Sequence, residues 1–132
     1  MSGNLPKRRK SHEWTVEVET VYLGSESQPE ANRYTFAYTV TMQNTGTVPA
    51  KLLGRRWVIT DGNGKAVEVV GEGVVGEHPH LMPGQAFKYT SAATIETPVG
   101  CMQGSYQLMA DDGIPFEAPI SLFSLAQPRG LH

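Results

Sequence analysis

Three short stretches carry residues whose types and spacing could do chemistry. "GEGVVG", Gly71 to Gly76, has the G-x-G-x-x-G spacing that opens the phosphate loop of dinucleotide-binding folds. "EHPH" sets His78 and His80 two residues apart, on one side of an extended chain, with Glu72 and Glu77 near in sequence. "RR", Arg55 and Arg56, could add positive charge to an anion site.

A dinucleotide loop works because a strand feeds a tight turn that opens a helix, whose first amides and dipole hold the pyrophosphate. Here Gly76 is followed by "EHPHLMPG", and two prolines in that stretch argue against a helix start. Neither a βαβ unit nor an acidic residue after a second strand accompanies the glycines. Two other uses of Gly71, Gly73 and Gly76 remain. They allow bulges, sharp bends or close backbone approach where an edge strand leaves its sheet. Alternatively, they free successive amides as an anion-binding nest, helped by Arg55 or Arg56 and opposed by Glu72 and Glu77.

His78, His80 and a carboxylate could ligate a divalent metal such as cobalt. They fall short of the three or four ligands at fixed spacing of a dedicated site, and surface-loop histidines are the simpler account. For catalysis, no nucleophile with a base and no pair of carboxylates in separated environments is apparent. Asp111 and Asp112 beside Gly113 read as hairpin formers. The chain is therefore expected to be a non-enzyme without a cofactor.

The elements around these stretches alternate with period two, as half-buried strands do. Trp14, Val16, Val18, Thr20 and Tyr22 share a face, then Tyr34, Phe36, Tyr38, Val40 and Met42. Leu53, Arg55, Trp57 and Ile59 share a face of a third strand, with Leu52, Arg56 and Val58 opposite. This puts Arg55 beside Trp57, its stem across the aromatic and its charge in solvent. "DGNG" turns that strand back into Lys65 to Val70, "MPGQ" precedes Phe87, Tyr89 and Ser91, and "ETPVG" breaks the next segment. Tyr106, Leu108 and Ala110, the "DDG" turn, and Phe116, Ala118 and Ile120 complete the pattern, with Pro119 at an edge or bulge.

No window has helical spacing, and sheets without helices bury their apolar faces on one another. The expected fold is all-β, an antiparallel sandwich of about seven or eight strands. With 132 residues the chain makes one domain, expected over 12–125, with flexible tails at 1–11 and 126–132. The net charge of −2 argues against a general attraction to nucleic acid or anionic membrane, and "KRRK" reads as a solvated tail. There is no apolar leader or span, and Cys101, the lone cysteine, suits a reducing compartment as a small packed side chain. The expected location is the cytoplasm.

From Arg33 onward the runs "RYTFAYTVTMQNTG", "RRWVITDGNGK", "VVGEGVVGEHPHLMPGQAFKYTS", "TPVGCMQGSYQL" and "DDGIPFEAPISLF" resemble, in order, the ApaG family. The resemblance covers about Trp14 to Leu125 and implies a fibronectin type III-like or immunoglobulin-like sandwich. It further implies a link to cobalt and magnesium resistance or efflux. Family genes lie beside a diadenosine tetraphosphate hydrolase, and similar domains occur in F-box proteins and a DNA polymerase-interacting protein. The family's glycine motif suggested a nucleotide or pyrophosphate, while non-ligands often fill the positions of His78 and His80. Together these imply a binding module for a protein partner or a phosphate-bearing small molecule. Unpaired edge backbone and exposed arginines make Arg55, Arg56, Gly71, Gly73 and Gly76, with His78 and His80 beside them, its candidate contacts. Direct metal binding by His78 and His80 is the alternative, and a nucleotide pyrophosphate-binding enzyme ranks behind it. An exposed edge strand also leaves room for weak homodimerisation.

Overall fold

The computed structural model describes residues 10–128. Most of the "KRRK" run and the ends of both expected tails lie outside them. Eight strands form, most of them where apolar side chains alternate: β1 (Trp14–Tyr22), β2 (Tyr34–Asn44), β3 (Ala50–Asp61), β4 (Ala66–Glu72), β5 (His80–Leu81), β6 (Ala86–Ile95), β7 (Val99–Ala110) and β8 (Pro115–Ala126). Two single-turn 3-10 segments, Gly24–Glu26 and Pro29–Ala31, occupy the β1–β2 connection.

The strands make two antiparallel sheets, one ordered β1-β2-β6 and the other β4-β3-β7-β8, with β5 pairing the start of β3. The sheets face each other across one core, as in a sandwich. Phe36, Val40 and Met42 on β2 meet Leu52 and Trp57 on β3 and Met102, Tyr106 and Leu108 on β7, all buried. Trp57 is boxed by aromatic rings, with Tyr38 at 5.3 Å, Phe123 at 5.8 Å and Tyr106 at 6.3 Å between centroids. Edge-to-face contacts of this kind add to area burial.

Strand three departs from simple alternation. Leu52 is fully buried while Leu53 is 41% exposed, so Leu53 does not share the face of Trp57. The register against β7 slips between Leu52 and Gly54. One extra residue there inverts the parity of everything before it, as a β-bulge does. Pro119 lies on β8, an edge strand whose register against β7 slips between Met102 and Gly104. Strand eight ends at Ala126, one residue past the expected boundary. Strand five and the first half of β7 were not marked by alternation.

Candidate functional site

The glycine segment lies on the free side of β3. Strand four pairs Gly54 to Thr60, β5 pairs Ala50 and Lys51, and the chain between them makes an excursion over the bulge at Leu53. Each glycine has its own cause. At Gly71, a Cβ would stand 2.8 Å from Arg55 Nη1 and 2.9 Å from Cζ. The missing side chain lets the guanidinium cross the strand, where Nη1 donates to the carbonyls of Glu72 and Gly73, each at 2.9 Å.

Gly73 holds φ +61, and a Cβ on it would collide with the Glu77 carbonyl. Val75 (φ 44) and Gly76 (φ 80) form a two-residue turn closed by Val74 N–H to Glu77 O and Glu77 N–H to Val74 O, at 2.9 and 2.8 Å. Positive φ at both central residues defines a type I′ hairpin turn. No α-helix follows Gly76 among the described residues. The amides of Gly73, Val74 and Glu77 are spent on Leu53 O, Glu77 O and Val74 O, which leaves fewer donors for a nest.

Val74 plugs the core at 0% exposure, and Pro79 is buried with its carbonyl taken by Leu52 N–H at 2.9 Å. Val75, by contrast, projects at the turn tip, 57% exposed. Asn44, itself fully buried, fixes the far end by donating to Leu81 O at 2.9 Å and Val48 O at 3.0 Å. An unpartnered amide at that depth would be costly.

The expected residues come together only in part. Arg55 lies over Gly71 and Gly73, its charge on backbone carbonyls rather than free in solvent. Arg56 instead pairs with Glu68 on the outer face of the sheet. His78 Nδ1 donates to Leu52 O at 3.1 Å, while His80 Nε2 pairs with Asp111 at 2.9 Å. They therefore engage different partners, and among the described residues no group of three His, Cys, Asp or Glu is arranged to hold a metal.

The buried hydroxyls of Tyr89 and Tyr106 bond each other across the two sheets. Burial pushes Tyr89 up to about 12, against its bond from Tyr106. Burial and the neighbouring Tyr89 raise Tyr106 further. Both hydroxyls stay protonated near neutrality, where neither serves as a base.

Three features escaped sequence reasoning because each joins distant residues. Arg55 needs Gly71; His80 needs Asp111; and Asp112 accepts from His12 at 2.8 Å. A cleft of about 160 Å³ between the two sheets is lined by Ile59, Asp61, Lys65, Val67, Thr94, Ile95 and Glu96. That is smaller than the roughly 300–1,000 Å³ of sites for drug-sized ligands.

The fold and this excursion define a class: small two-sheet antiparallel sandwiches with a glycine-built hairpin on one sheet edge. The model of the ApaG domain matches residues 24–110, and the chain belongs to the ApaG family. It is 76% identical to Protein ApaG of Methylococcus capsulatus over 125 residues, covering 95% of this chain and 99% of that one. Protein ApaG of Pseudomonas aeruginosa is 54% identical over 121 residues, covering 92% and 96%. The crystal structure of the putative ApaA protein from Bordetella pertussis superposes with TM-score 0.90 at 46% identity, over 93% of this chain and all of that one. These names carry no catalytic activity. No helix among the described residues is long and apolar enough to cross a membrane.

Proposed function

We propose that this chain is a cytoplasmic, non-enzymatic binding module that serves cobalt and magnesium homeostasis by engaging a protein partner through the Gly71–His80 excursion. The metal link comes from the family resemblance. The observation that carries the choice of a protein partner is Val75. A β-branched residue in the left-handed region is strained, and a type I′ turn would sit easily with asparagine or glycine there. Strain kept at an exposed apolar tip, with φ 44 and 57% exposure, points to a contact that uses the side chain.

A phosphate-bearing ligand is the second reading, favoured by Arg55. Both its hydrogen bonds leave from Nη1, so Nη2 and Nε can still address an anion. Glu72 and Glu77 oppose it electrostatically, and direct metal binding by His78 and His80 ranks lower still.

Val75→Asp separates these. Aspartate tolerates the left-handed region, so the fold keeps its melting temperature. Returned to a cell lacking the native chain, this variant should fail to restore cobalt tolerance. Full restoration overturns the partner reading. Amide shifts at Gly73 and Gly76 on adding pyrophosphate favour the anion, and His78 and His80 ring shifts on adding cobalt favour the metal.

A further inference from the structure

Strand four is the least protected edge of the sandwich. Strand eight carries Pro115, Pro119 and a register slip; β1 carries Glu17 and Glu19; β6 carries Lys88. Such features deter edge pairing. Strand four has no proline, its Glu68 is neutralised by Arg56, and Val67, Val69 and Val70 are 49%, 38% and 70% exposed.

Its hydrogen-bonding parity is fixed at both ends. Asp61 N–H donates to Lys65 O and Gly73 N–H to Leu53 O, each at 2.9 Å. Residues of the same parity, Val67, Val69 and Gly71, therefore bond β3. The N–H and C=O groups of Ala66, Glu68, Val70 and Glu72 point to the free side. Arg55 takes the Glu72 carbonyl, capping that end.

We infer that β4 pairs antiparallel with β4 of a second copy of this chain, about a two-fold axis through Val69, joining the two larger sheets into one. In this register Glu68 and Val70 exchange four backbone hydrogen bonds with Val70 and Glu68 of the second copy. Val69 meets its counterpart in a non-hydrogen-bonded pair, where side chains come closest. Val67 lies opposite Gly71 of the second copy.

Charge selects this arrangement. Lys65 precedes the strand, whereas Glu72 ends it and Glu77 lies just beyond. Lys65 is already balanced by Glu96 of its own chain, so the acidic end decides: an antiparallel copy keeps Glu72 and Glu77 of the two chains apart, while a parallel one would bring them together. No two carboxylates stand directly opposite, and each Glu68 keeps its own Arg56. This assignment concerns the strand edge and does not depend on the role of Val75.

Sedimentation velocity of the full chain, from low micromolar to millimolar concentration, provides the test. The wild type should pass from monomer to dimer. V69K places a charge on the axis, and V70P removes an outward N–H without touching the bonds to β3. Each should raise the dissociation constant at least about tenfold at an unchanged melting temperature. Should either fail to fold, V69C in a Cys101→Ser chain decides. Paired residues about 4.5 Å apart at Cα suit a disulfide, and oxidation should give a covalent dimer. A wild type that stays monomeric throughout, a dimer indifferent to both substitutions, or a V69C chain that does not cross-link overturns the inference.

Discussion

The two long sides of the sandwich are built differently. Along one, β1 and β8 come into contact across the gap between the sheets, and Trp14 on β1 is only 3% exposed. His12 reaches over that side to Asp112 and lies 5.5 Å from the Phe116 ring. Along the other, β4 and β6 leave a cleft whose rim is joined by the Lys65–Glu96 ion pair at 3.1 Å, between two largely exposed side chains. Val67 and Val69 face inward there without being covered. One side supplies stability; the other keeps apolar surface and unpaired backbone available.

The most forceful way to break this comparison is to truncate one apolar residue on each side. Trp14→Ala should cost about 3–5 kcal/mol in urea unfolding, the range for emptying a large aromatic site. Val67→Ala, at 49% exposure, should cost less than about 1 kcal/mol. Equal losses would mean that the β4–β6 side is packed as tightly as its opposite.

Within the open side, the glycines should rank by what a methyl group meets. Gly73→Ala combines φ +61 with a backbone carbonyl that cannot yield, and should cost at least about 2 kcal/mol. Gly76→Ala has φ +80 in open space, so only the left-handed conformation counts, about 1 kcal/mol. Gly71→Ala should cost least, because the atoms in its way belong to the end of the Arg55 side chain. Its signature is instead loss of the Arg55 bonds, read as amide shifts at Gly73. Thermal melts that place Gly71→Ala below Gly73→Ala would refute this division of labour.

Much of the architecture was legible, for a reason that also marks its limit. Period-two alternation exposes β1 and β2 because one face of each is core, and "DGNG" announces its turn through residues that accept positive φ. A bulge has no letter of its own, so the exchange of Leu52 and Leu53 was invisible until β7 supplied the register. The first half of β7 was hidden by its glycines: a Cβ at Gly100 would meet Thr60 O at 2.6 Å, and one at Gly104 would strike Arg56 O. Close approach of the neighbouring strand demands there the residues that weaken a strand's signature. In the candidate site the glycine spacing was visible, and bends and close approach at an edge strand were among its expected uses; what was hidden is which group each glycine meets. The partner of Gly71 is a guanidinium on another strand, and His78 and His80 are separated by what they touch rather than by their spacing.

The smallest expected effect tests whether the His12 tie contributes to the closed side. The Asp112 carboxyl is held below its ordinary range first by the hydrogen bond from His12 and then by the backbone N–H of Ile114. A carboxyl whose pKa is lower folded than unfolded stabilises the fold above its unfolded value, and that stabilisation disappears as pH falls through the folded value. Thermal melts of the wild type and Asp112→Asn should therefore differ near neutrality and converge in acid. Because the pair is exposed, added salt should narrow the neutral gap as well. Asp111→Asn, which loosens His80 instead, bears on β5 and the excursion it ends. If the Asp112 gap persists unchanged into acid, the β1–β8 side owes its closure to apolar packing around Trp14 and Phe116 alone, and the contrast between the two sides is one of burial without a charged component.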